Sequence, residues 1–347
     1  MPVKVSILLP NLNNLSYLDE RIRTIMAQSL ENWELIVVDN YSDDGAWEFL
    51  QEWARKDSRI NISQAARKGM YANWNNCLRL AKGDYIYIAT SDDTMVPEAL
   101  EKMVMALEKN PCCDLAHCKL RIIDEDNNSS DQKLWDNFFT VRYFGDLINQ
   151  NHIRKAPHDG VLHFSGITVY TSITQLLIRR SLFNRIGLFL ENYGSIADYE
   201  WVMRATLITD TVHVPEYLAT WRLHSIQATS DDRINLAKSS GKFLEMANHA
   251  LKIAHHLRPS IIKSLNTKKL KYILKKEKLY YEIKLSKTLP RKSWVLFKSC
   301  LKNPGVVFEF LRANEQKKKN FSQSDSLEYI KEMIQEHGLG KNLSKTC

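Results

Sequence analysis

An alternation of apolar strands and amphipathic helices runs through the first 125 or so residues and restricts the possible folds more than any other feature. Apolar, β-branched runs predict strands at residues 5–10, 33–39, 60–62 and 85–89. Helical periodicity and terminal signals predict helices at residues 17–28, 70–81 and 97–109. Strands separated by single helices form right-handed crossovers in a parallel sheet. The chain is therefore predicted to be an α/β protein with a mostly parallel central sheet flanked by helices.

Positive charge is concentrated towards the C-terminus. Residues 241–347 contain 23 Lys and Arg but 9 Asp and Glu, a net charge of +14, whereas the whole chain carries +8. The pattern beyond Ser230 is helical, which predicts a main domain of residues 1–231 and a basic, mainly helical extension of residues 232–347. Such an extension can be a helical face packed on the main domain or a surface for anionic membranes. Nucleic-acid binding is disfavoured because no recognised motif accompanies the charge.

The chain carries no obvious membrane or secretion signal. It has no run of about 18 apolar residues, and its first apolar run is too short for a secretory signal. The six cysteines lack the spacing of a disulfide scaffold, which favours reduced thiols and a cytoplasmic location. A zinc site at Cys112, Cys113, His117 and Cys118 is disfavoured because the segment alternates like a strand, so adjacent ligands would point to opposite faces.

Two adjacent carboxylates, Asp92 and Asp93, follow directly after the predicted strand at residues 85–89. Ligands of open α/β sheets bind at the carboxyl ends of strands. Paired carboxylates at this position can hold a hard divalent cation, which in turn can hold a diphosphate. The alternative is a turn or helix cap, since Thr94 and Pro97 are typical of a helix start. The pair alone does not separate the two interpretations.

The ordered set of segments around these carboxylates carries a family resemblance. The set comprises residues 5–14, 18–40, Lys68-Gly69 with residues 72–75, residues 83–93 ending in the acidic DXD-like motif, residues 176–183, 187–189 and 197–201, and Trp221-Arg222-Leu223-His224 with Ser230. In this order and spacing the segments resemble the family 2 glycosyltransferases, inverting sugar-nucleotide enzymes with the GT-A fold. The resemblance covers roughly residues 3–231. It implies a GT-A fold and a nucleotide-sugar site.

The resemblance implies a role for each carboxylate. Asp93 would coordinate Mg²⁺ or Mn²⁺, and Asp92 would lie against the donor ribose or the metal's ligand shell. Asp198 would be the catalytic base that takes the proton of the acceptor hydroxyl. The family more often has Glu-Asp here, whereas this chain has Ala197-Asp198. The alternative for Asp198 is a helix N-terminal residue favoured by the helix dipole, and Glu200 is a weaker candidate base.

Further residues would bind the nucleotide sugar and its metal. By resemblance, Pro10 and Leu12 would line the base pocket, and Asp39 and Asn40 would meet the base and ribose, although both also suit a turn. The family commonly has a second acidic residue where this chain has Asn40. Arg222 and His224 are two residues apart and would share a strand face. By resemblance, Arg222 would donate hydrogen bonds to the diphosphate, and His224 would donate to a phosphate or bind the metal. A solvated Arg and a core His are the alternatives.

The function expected from this resemblance is metal-dependent, inverting transfer of a sugar from a nucleoside-diphosphate sugar to an acceptor hydroxyl. A UDP-sugar is favoured and dTDP or GDP are possible. The acceptor would be a glycan or a lipid-linked glycan in cell-surface polysaccharide or glycolipid synthesis, with the basic helices on the inner face of the membrane. A sugar nucleotidyltransferase is disfavoured because residues 10–14 contain no Gly or Arg. A non-catalytic basic binding protein is disfavoured by the intact Asp93 and Asp198.

Overall fold

The computed structural model describes residues 2–129, 136–165, 168–224, 236–286, 288–313 and 324–344. Its strands are β1 (Val5–Asn11), β2 (Trp33–Asp39), β3 (Ile60–Gln64), β4 (Tyr85–Ile88), β5 (Cys113–Ile123), β6 (His152–Arg154), β7 (Leu176–Arg179), β8 (Asp210–Arg222) and β9 (Leu343–Ser344). Its first helices are α1 (Leu15–Met26), α2 (Ala46–Lys56), α3 (Met70–Leu80), α4 (Ala99–Lys109), α5 (Phe139–Phe144), α6 (His158–Leu162), α7 (Arg180–Ile186) and α8 (Ala197–Thr206). The later helices are α9 (Leu236–Leu257), α10 (Pro259–Lys263), α11 (Thr267–Leu285), α12 (Leu289–Lys302), α13 (Pro304–Arg312) and α14 (Ser324–Glu336).

Within these described residues, nine strands form one sheet in the order β3-β2-β1-β4-β7-β5-β8-β6-β9. The strands β3, β2, β1 and β4 are parallel, which confirms the α/β prediction. However, β7 is antiparallel to both β4 and β5, and β6 is antiparallel to both β8 and β9. Because β5 and β8 pair in parallel, the sheet beyond β4 is mixed, and the predicted mostly parallel pairing is confirmed only in part there. The regular strand–helix alternation ends near residue 125, and β7 returns between β4 and β5 after a long irregular connection.

The parallel half of the sheet is buried on both faces. Every residue of β2 is buried, as expected for a strand covered by helices on both sides. A glycine that follows a predicted helix such as 70–81 is a typical helix-ending signal, but Gly83 is required for another reason. A Cβ at this position would lie 2.6 Å from the backbone nitrogen of Ser6. The Gly83 amide donates to Ser6 Oγ (2.8 Å), which in turn donates to buried Glu34 (2.6 Å). The close approach fixes the start of β4 beside β1.

The second half of the main domain is more regular than its sequence pattern indicates. The polar residues at 124–130 predict a loop-rich segment over residues 124–166, but the segment includes α5, β6 and α6. The patterns at residues 211–214 and 218–223 predict two short closing strands, but one long strand, β8, is observed. The ladder with β5 pairs Cys118 with Val214 and then Lys119 with Tyr217. This bulge leaves Pro215, which has no amide hydrogen to donate, outside the ladder.

The C-terminal helices share the core of the sheet. Met246, Ala250, Ile330 and Met333 are fully buried and belong to the same apolar cluster as β1 and β2. At the end of the described chain, β9 adds to the sheet beside β6. The predicted boundary between residues 231 and 232 lies outside the described residues. Helices α9, α10, α14 and the first part of α11 are therefore packed on the main domain, whereas the rest of α11 shares a second, smaller apolar cluster with α12 and α13.

Three further expectations concern membranes and cysteines. Among the helices described above, none has an apolar stretch long enough to cross a bilayer. Cys112 is disulfide-bonded, whereas Cys77, Cys113, Cys118 and Cys300 are free, so the expectation of reduced thiols throughout is wrong at Cys112. No cluster of three or more metal-ligating side chains occurs in the described part of the chain.

Candidate active site

The loops after β1 and β2 meet at the carboxyl edge of the parallel strands. Asp39, the last residue of β2, is fully buried. Its carboxylate accepts hydrogen bonds from Asn11 Nδ2 (2.8 Å), Ser42 Oγ (2.5 Å) and the Ser42 amide (2.9 Å). Asn40 is buried and donates from Nδ2 to the carbonyl of Ala65 (2.9 Å). Both side chains hold the two loops together, so the structure does not support the prediction that they meet the nucleotide directly.

Apolar side chains are exposed on these loops. Leu12 is 41% exposed and Tyr41 is 55% exposed, whereas Pro10 is half-buried at the end of β1. Tyr41 has a positive φ of 55°, which is unfavourable for a residue with a bulky side chain. The buried Asp39 network supports this strained loop. Sequence reasoning missed Tyr41, although an aromatic residue in the turn after a strand end is a recognisable signal.

The two carboxylates after β4 have different environments. Asp93 is 2% exposed, and its oxygens accept hydrogen bonds from Thr90 Oγ1 (2.5 Å) and the Arg222 amide (2.8 Å). Burial, together with the neighbouring Asp92 carboxylate, raises the pKa of Asp93 to about 7. The Asp93 side chain points into the protein. The metal-binding role expected of Asp93 stays a prediction, and Asp93 is the less accessible of the two carboxylates.

Asp92, rather than Asp93, is the more accessible of the two carboxylates. Its side chain is 23% exposed, and Oδ2 lies 2.9 Å from His224 Nε2. His224 is also in contact with the ring of Tyr17, at a centroid distance of 5.2 Å. The structure thus brings together one residue from the end of β4 and one from just beyond the end of β8. Ser230, the last residue of the predicted closing motif, lies outside the described residues.

Buried Arg222 supports the Asp92–His224 pair from the interior of the protein. It is 1% exposed, and its guanidinium donates to the carbonyls of Asp92 (2.7 Å) and Asp124 (3.0 Å) and to the carboxylate of Glu20 (2.8 Å). Tyr17 covers the guanidinium, 5.3 Å from its ring centroid. The prediction that Arg222 binds the diphosphate is therefore not supported. Arg222 instead fixes the loop that carries Asp92, and sequence reasoning missed its partners Tyr17 and Glu20.

The Asp92–His224 pair has the chemistry of a partial metal site. Two adjacent ligands of an octahedral ion, each about 2.1 Å from it, lie about 3 Å apart, close to the 2.9 Å between Oδ2 and Nε2. One carboxylate and one imidazole suit Mn²⁺ better than Mg²⁺, which prefers oxygen ligands. Ions of this type commonly take one or two protein ligands and complete their shell with phosphate oxygens and water. The residues present therefore fit such an ion.

Asp198 lies in the first turn of α8 and contacts α3. The Tyr71 hydroxyl lies 2.8 Å from Asp198 Oδ1 and 3.0 Å from the Ser195 carbonyl. The Tyr199 amide also donates to Oδ1 (2.8 Å). Burial raises the pKa of Asp198, whereas the hydrogen bonds from Tyr71 and Tyr199 lower it. Burial also raises the pKa of Tyr71 well above its usual value, so its hydroxyl remains a donor. Sequence reasoning missed Tyr71, which lies in the recognised segment at residues 68–75.

Glu200, the weaker candidate base, has a structural role. Its carboxylate is fully buried and pairs with Arg204 (2.9 Å) in the same helix and with His249 (2.7 Å) in α9. These pairs join α8 to the C-terminal helices. The geometry therefore leaves Asp198 as the half-buried carboxylate of α8 that can serve as a base.

Comparison with known proteins identifies the family of this chain. The model of glycosyl transferase family 2 matches residues 6–182, just over half of the chain. The putative glycosyltransferase EpsE of Bacillus subtilis is 37% identical over 124 residues, which are 35% of this chain and 45% of that protein. The putative teichuronic acid biosynthesis glycosyltransferase TuaG of the same organism is 30% identical over 109 residues, 31% and 43% of the two chains. The chain thus spans less than half the length of these two relatives.

Solved structures share the fold at low sequence identity. Residues 1–349 of Staphylococcus aureus TarS in complex with UDP-GlcNAc align with a TM-score of 0.60 at 15% identity, over 96% of this chain and 92% of that one. The mannosyltransferase PcManGT of Pyrobaculum calidifontis, in complex with GDP-Man and Mn²⁺, aligns with a TM-score of 0.53 at 15% identity, over 95% and 88% of the two chains. The family match, with this shared fold, shows that the chain belongs to glycosyl transferase family 2.

Proposed function

We propose that the protein transfers a sugar from a nucleoside-diphosphate sugar to an acceptor hydroxyl, with inversion and with the help of Mn²⁺ or Mg²⁺. The observation that carries the proposal is the Asp92–His224 pair at the carboxyl edge of the sheet, held by Arg222 and Asp93. Family membership adds the reaction class. The product would be a cell-surface polysaccharide or glycolipid, since TuaG is named for teichuronic acid biosynthesis. We also propose that the protein acts in the cytoplasm.

The loops after β1, β2 and β4 would form the end of the site that binds the donor. The exposed side chains of Leu12 and Tyr41 would contact the nucleotide base, with Pro10 beside them, and the Asp39–Asn40 network would hold these loops in place. Asp92 and His224 would hold the metal, which when bound would neutralise the departing diphosphate. A UDP-sugar is favoured because TarS was solved with UDP-GlcNAc. GDP and dTDP remain candidates, since PcManGT was solved with GDP-Man.

Asp198 would act at the acceptor end as the base. In an inverting transfer, one carboxylate removes the proton of the acceptor hydroxyl as the new bond forms. The carboxylate must be ionised to do so, and the hydrogen bonds from Tyr71 and the Tyr199 amide favour that form. Because Tyr71 belongs to α3 and Asp198 to α8, this contact also fixes the carboxylate relative to the parallel strands.

Release of nucleoside diphosphate tests the proposal. The protein is incubated with UDP-, GDP- and dTDP-sugars and Mn²⁺ or Mg²⁺, and the product diphosphate is followed with a coupled assay. Asp92→Asn and Asp198→Asn should each reduce release by at least about 100-fold, the range found for positioned charge and for general bases. Asp84→Asn, which changes an exposed carboxylate just before β4, is the matched control and should retain full activity.

Two outcomes would overturn the proposal. Unchanged diphosphate release in Asp92→Asn and Asp198→Asn would remove both site assignments. Formation of pyrophosphate from a nucleoside triphosphate and a sugar phosphate would favour a nucleotidyltransferase instead.

A further inference from the structure

We propose that helix α12 docks the protein onto an anionic lipid bilayer. The exposed large apolar side chains of the described chain are concentrated in α12 and α13. Six of them lie there, each at least 57% exposed: Leu289, Trp294, Phe297, Leu301, Phe308 and Leu311. Exposed apolar side chains that form a contiguous patch mark an interaction surface.

The apolar residues of α12 form one stripe. Trp294, Phe297 and Leu301 are spaced i, i+3 and i+7 and therefore lie on one helical face. The rings of Trp294 and Phe297 stack, with their centroids 6.0 Å apart. The opposite face, which includes Val295 and Leu296, packs against the small apolar cluster around Leu279 and Val306. The stripe is therefore not needed for packing α12 onto its own neighbours.

Basic residues border the stripe on one side. Arg291, Lys298 and Lys302 are exposed and lie at helical positions next to the stripe. A cavity of about 360 Å³ opens between this border and α11. Its polar lining includes four lysines, Lys275, Lys278, Lys298 and Lys302, and one acidic residue, Glu282. Of the described ion pairs, the only one within this group joins Lys278 to Glu282, at 3.9 Å.

An anionic bilayer is the occupant that matches both halves of this surface. Interfacial helices insert Trp, Phe and Leu to the depth of the acyl boundary and keep Lys and Arg at the level of the headgroups. A lysine-lined cavity beside Trp294 can take a lipid phosphate at that level. Each basic residue near an anionic leaflet adds to binding. A second copy of the chain would carry the same positive charge at the same place, which disfavours self-association through this face.

A chain of contacts through α9 links the cavity wall to the acceptor end of the proposed site. Lys278, in the cavity wall, approaches Gly241 in α9. The next residue, Lys242, donates to the carbonyl of Tyr193 (3.4 Å), in the turn that precedes α8 and Asp198. Docking through α12 would therefore bring the base segment close to a lipid-linked acceptor. The membrane contact itself does not depend on the proposed transferase activity.

Vesicle sedimentation tests the inference with the full-length protein and without any sugar donor. The wild type should sediment with phosphatidylcholine vesicles that contain about one third phosphatidylglycerol and should remain in solution with pure phosphatidylcholine. Trp294→Ser combined with Phe297→Ser should weaken binding at least tenfold. Lys298→Glu combined with Lys302→Glu should have a similar effect. Leu80→Ser combined with Met105→Ser, which changes exposed apolar residues outside these helices, should bind like the wild type.

Fluorescence and light scattering decide between the occupants. A blue shift of tryptophan emission on vesicle binding should be absent in Trp294→Phe, which retains an apolar ring but removes the reporter at this position. Equal sedimentation of the wild type and the Trp294→Ser/Phe297→Ser variant would overturn the inference. A dimer of the wild type in solution that becomes a monomer in this variant, with vesicle binding unchanged, would assign the stripe to self-association instead.

Discussion

Replacing Tyr71 by Phe should move the pH dependence of sugar transfer. The substitution removes the hydroxyl that lies 2.8 Å from Asp198 Oδ1 and retains the ring, which packs against Trp74 and Phe189 at centroid distances of 4.9 and 5.8 Å. A hydrogen bond to a charged group contributes about 1.5–3 kcal/mol. Since about 1.4 kcal/mol corresponds to one pH unit, its loss should raise the pKa of Asp198 by about one to two units.

The sign of the effect follows from the base role of Asp198. The residue is active when ionised, so a higher pKa moves the acidic limb of the kcat/KM profile towards higher pH. The expected shift is about one unit, the lower of the two figures. The Tyr71 hydroxyl has one hydrogen to donate, and it also lies 3.0 Å from the Ser195 carbonyl, which therefore shares this hydrogen with Asp198. Activity on the alkaline side of the limb should remain close to that of the wild type, since the geometry of the carboxylate is retained by the Tyr199 amide.

The assay is diphosphate release across the pH range at subsaturating donor, with the melting temperature measured in parallel. Tyr199→Phe is the matched control, because its hydroxyl donates to the His163 carbonyl and not to Asp198. This control should lose stability and leave the acidic limb in place. An acidic limb that is unchanged in Tyr71→Phe would refute the assignment of Asp198 as the base whose ionisation limits the reaction.

Two further predictions concern buried charge. Burial lowers the pKa of His152 and His163 to about 4, below the 6.5 of the unfolded chain, so the unfolded state takes up protons first as the pH falls. Each residue should lower the free energy of unfolding by about 2 kcal/mol between pH 7.5 and 5, measured by urea unfolding, and a flat stability profile would contradict this. Arg222→Gln should lower the free energy of unfolding by about 1–3 kcal/mol because the carbonyls of Asp92 and Asp124 lose their donor, and it should also reduce diphosphate release; wild-type values of both would contradict the role of Arg222.

The sequence predicted the parallel half of the sheet well because its signals there are local. The strand predicted at residues 33–39 is observed as Trp33–Asp39, and the helix predicted at 70–81 as Met70–Leu80. The position of β7 between β4 and β5 was not predictable in this way. Strand order depends on packing between segments about 60 to 90 residues apart, and no local pattern records it.

The sequence assigns the candidate site residues to loops at strand ends, but it does not give the directions of their side chains. Alternation along a strand indicated that Arg222 and His224 share a face, but β8 ends at Arg222, so the rule does not extend to His224. The same limit applies to Asp92 and Asp93, which follow the end of β4. Once the chain leaves a strand, the direction of each side chain depends on partners such as Thr90 and the Arg222 amide, which sequence patterns do not specify.

The effect of Mn²⁺ on nucleoside diphosphate binding, measured by titration calorimetry, tests the proposed metal–diphosphate site directly. Mn²⁺ should strengthen UDP or GDP binding by about tenfold or more in the wild type, within the usual range for coupled ligands. This gain should disappear in Asp92→Asn and persist in the control Asp84→Asn. A gain that persists unchanged in Asp92→Asn would contradict the assignment of the metal–diphosphate site to the Asp92–His224 pair.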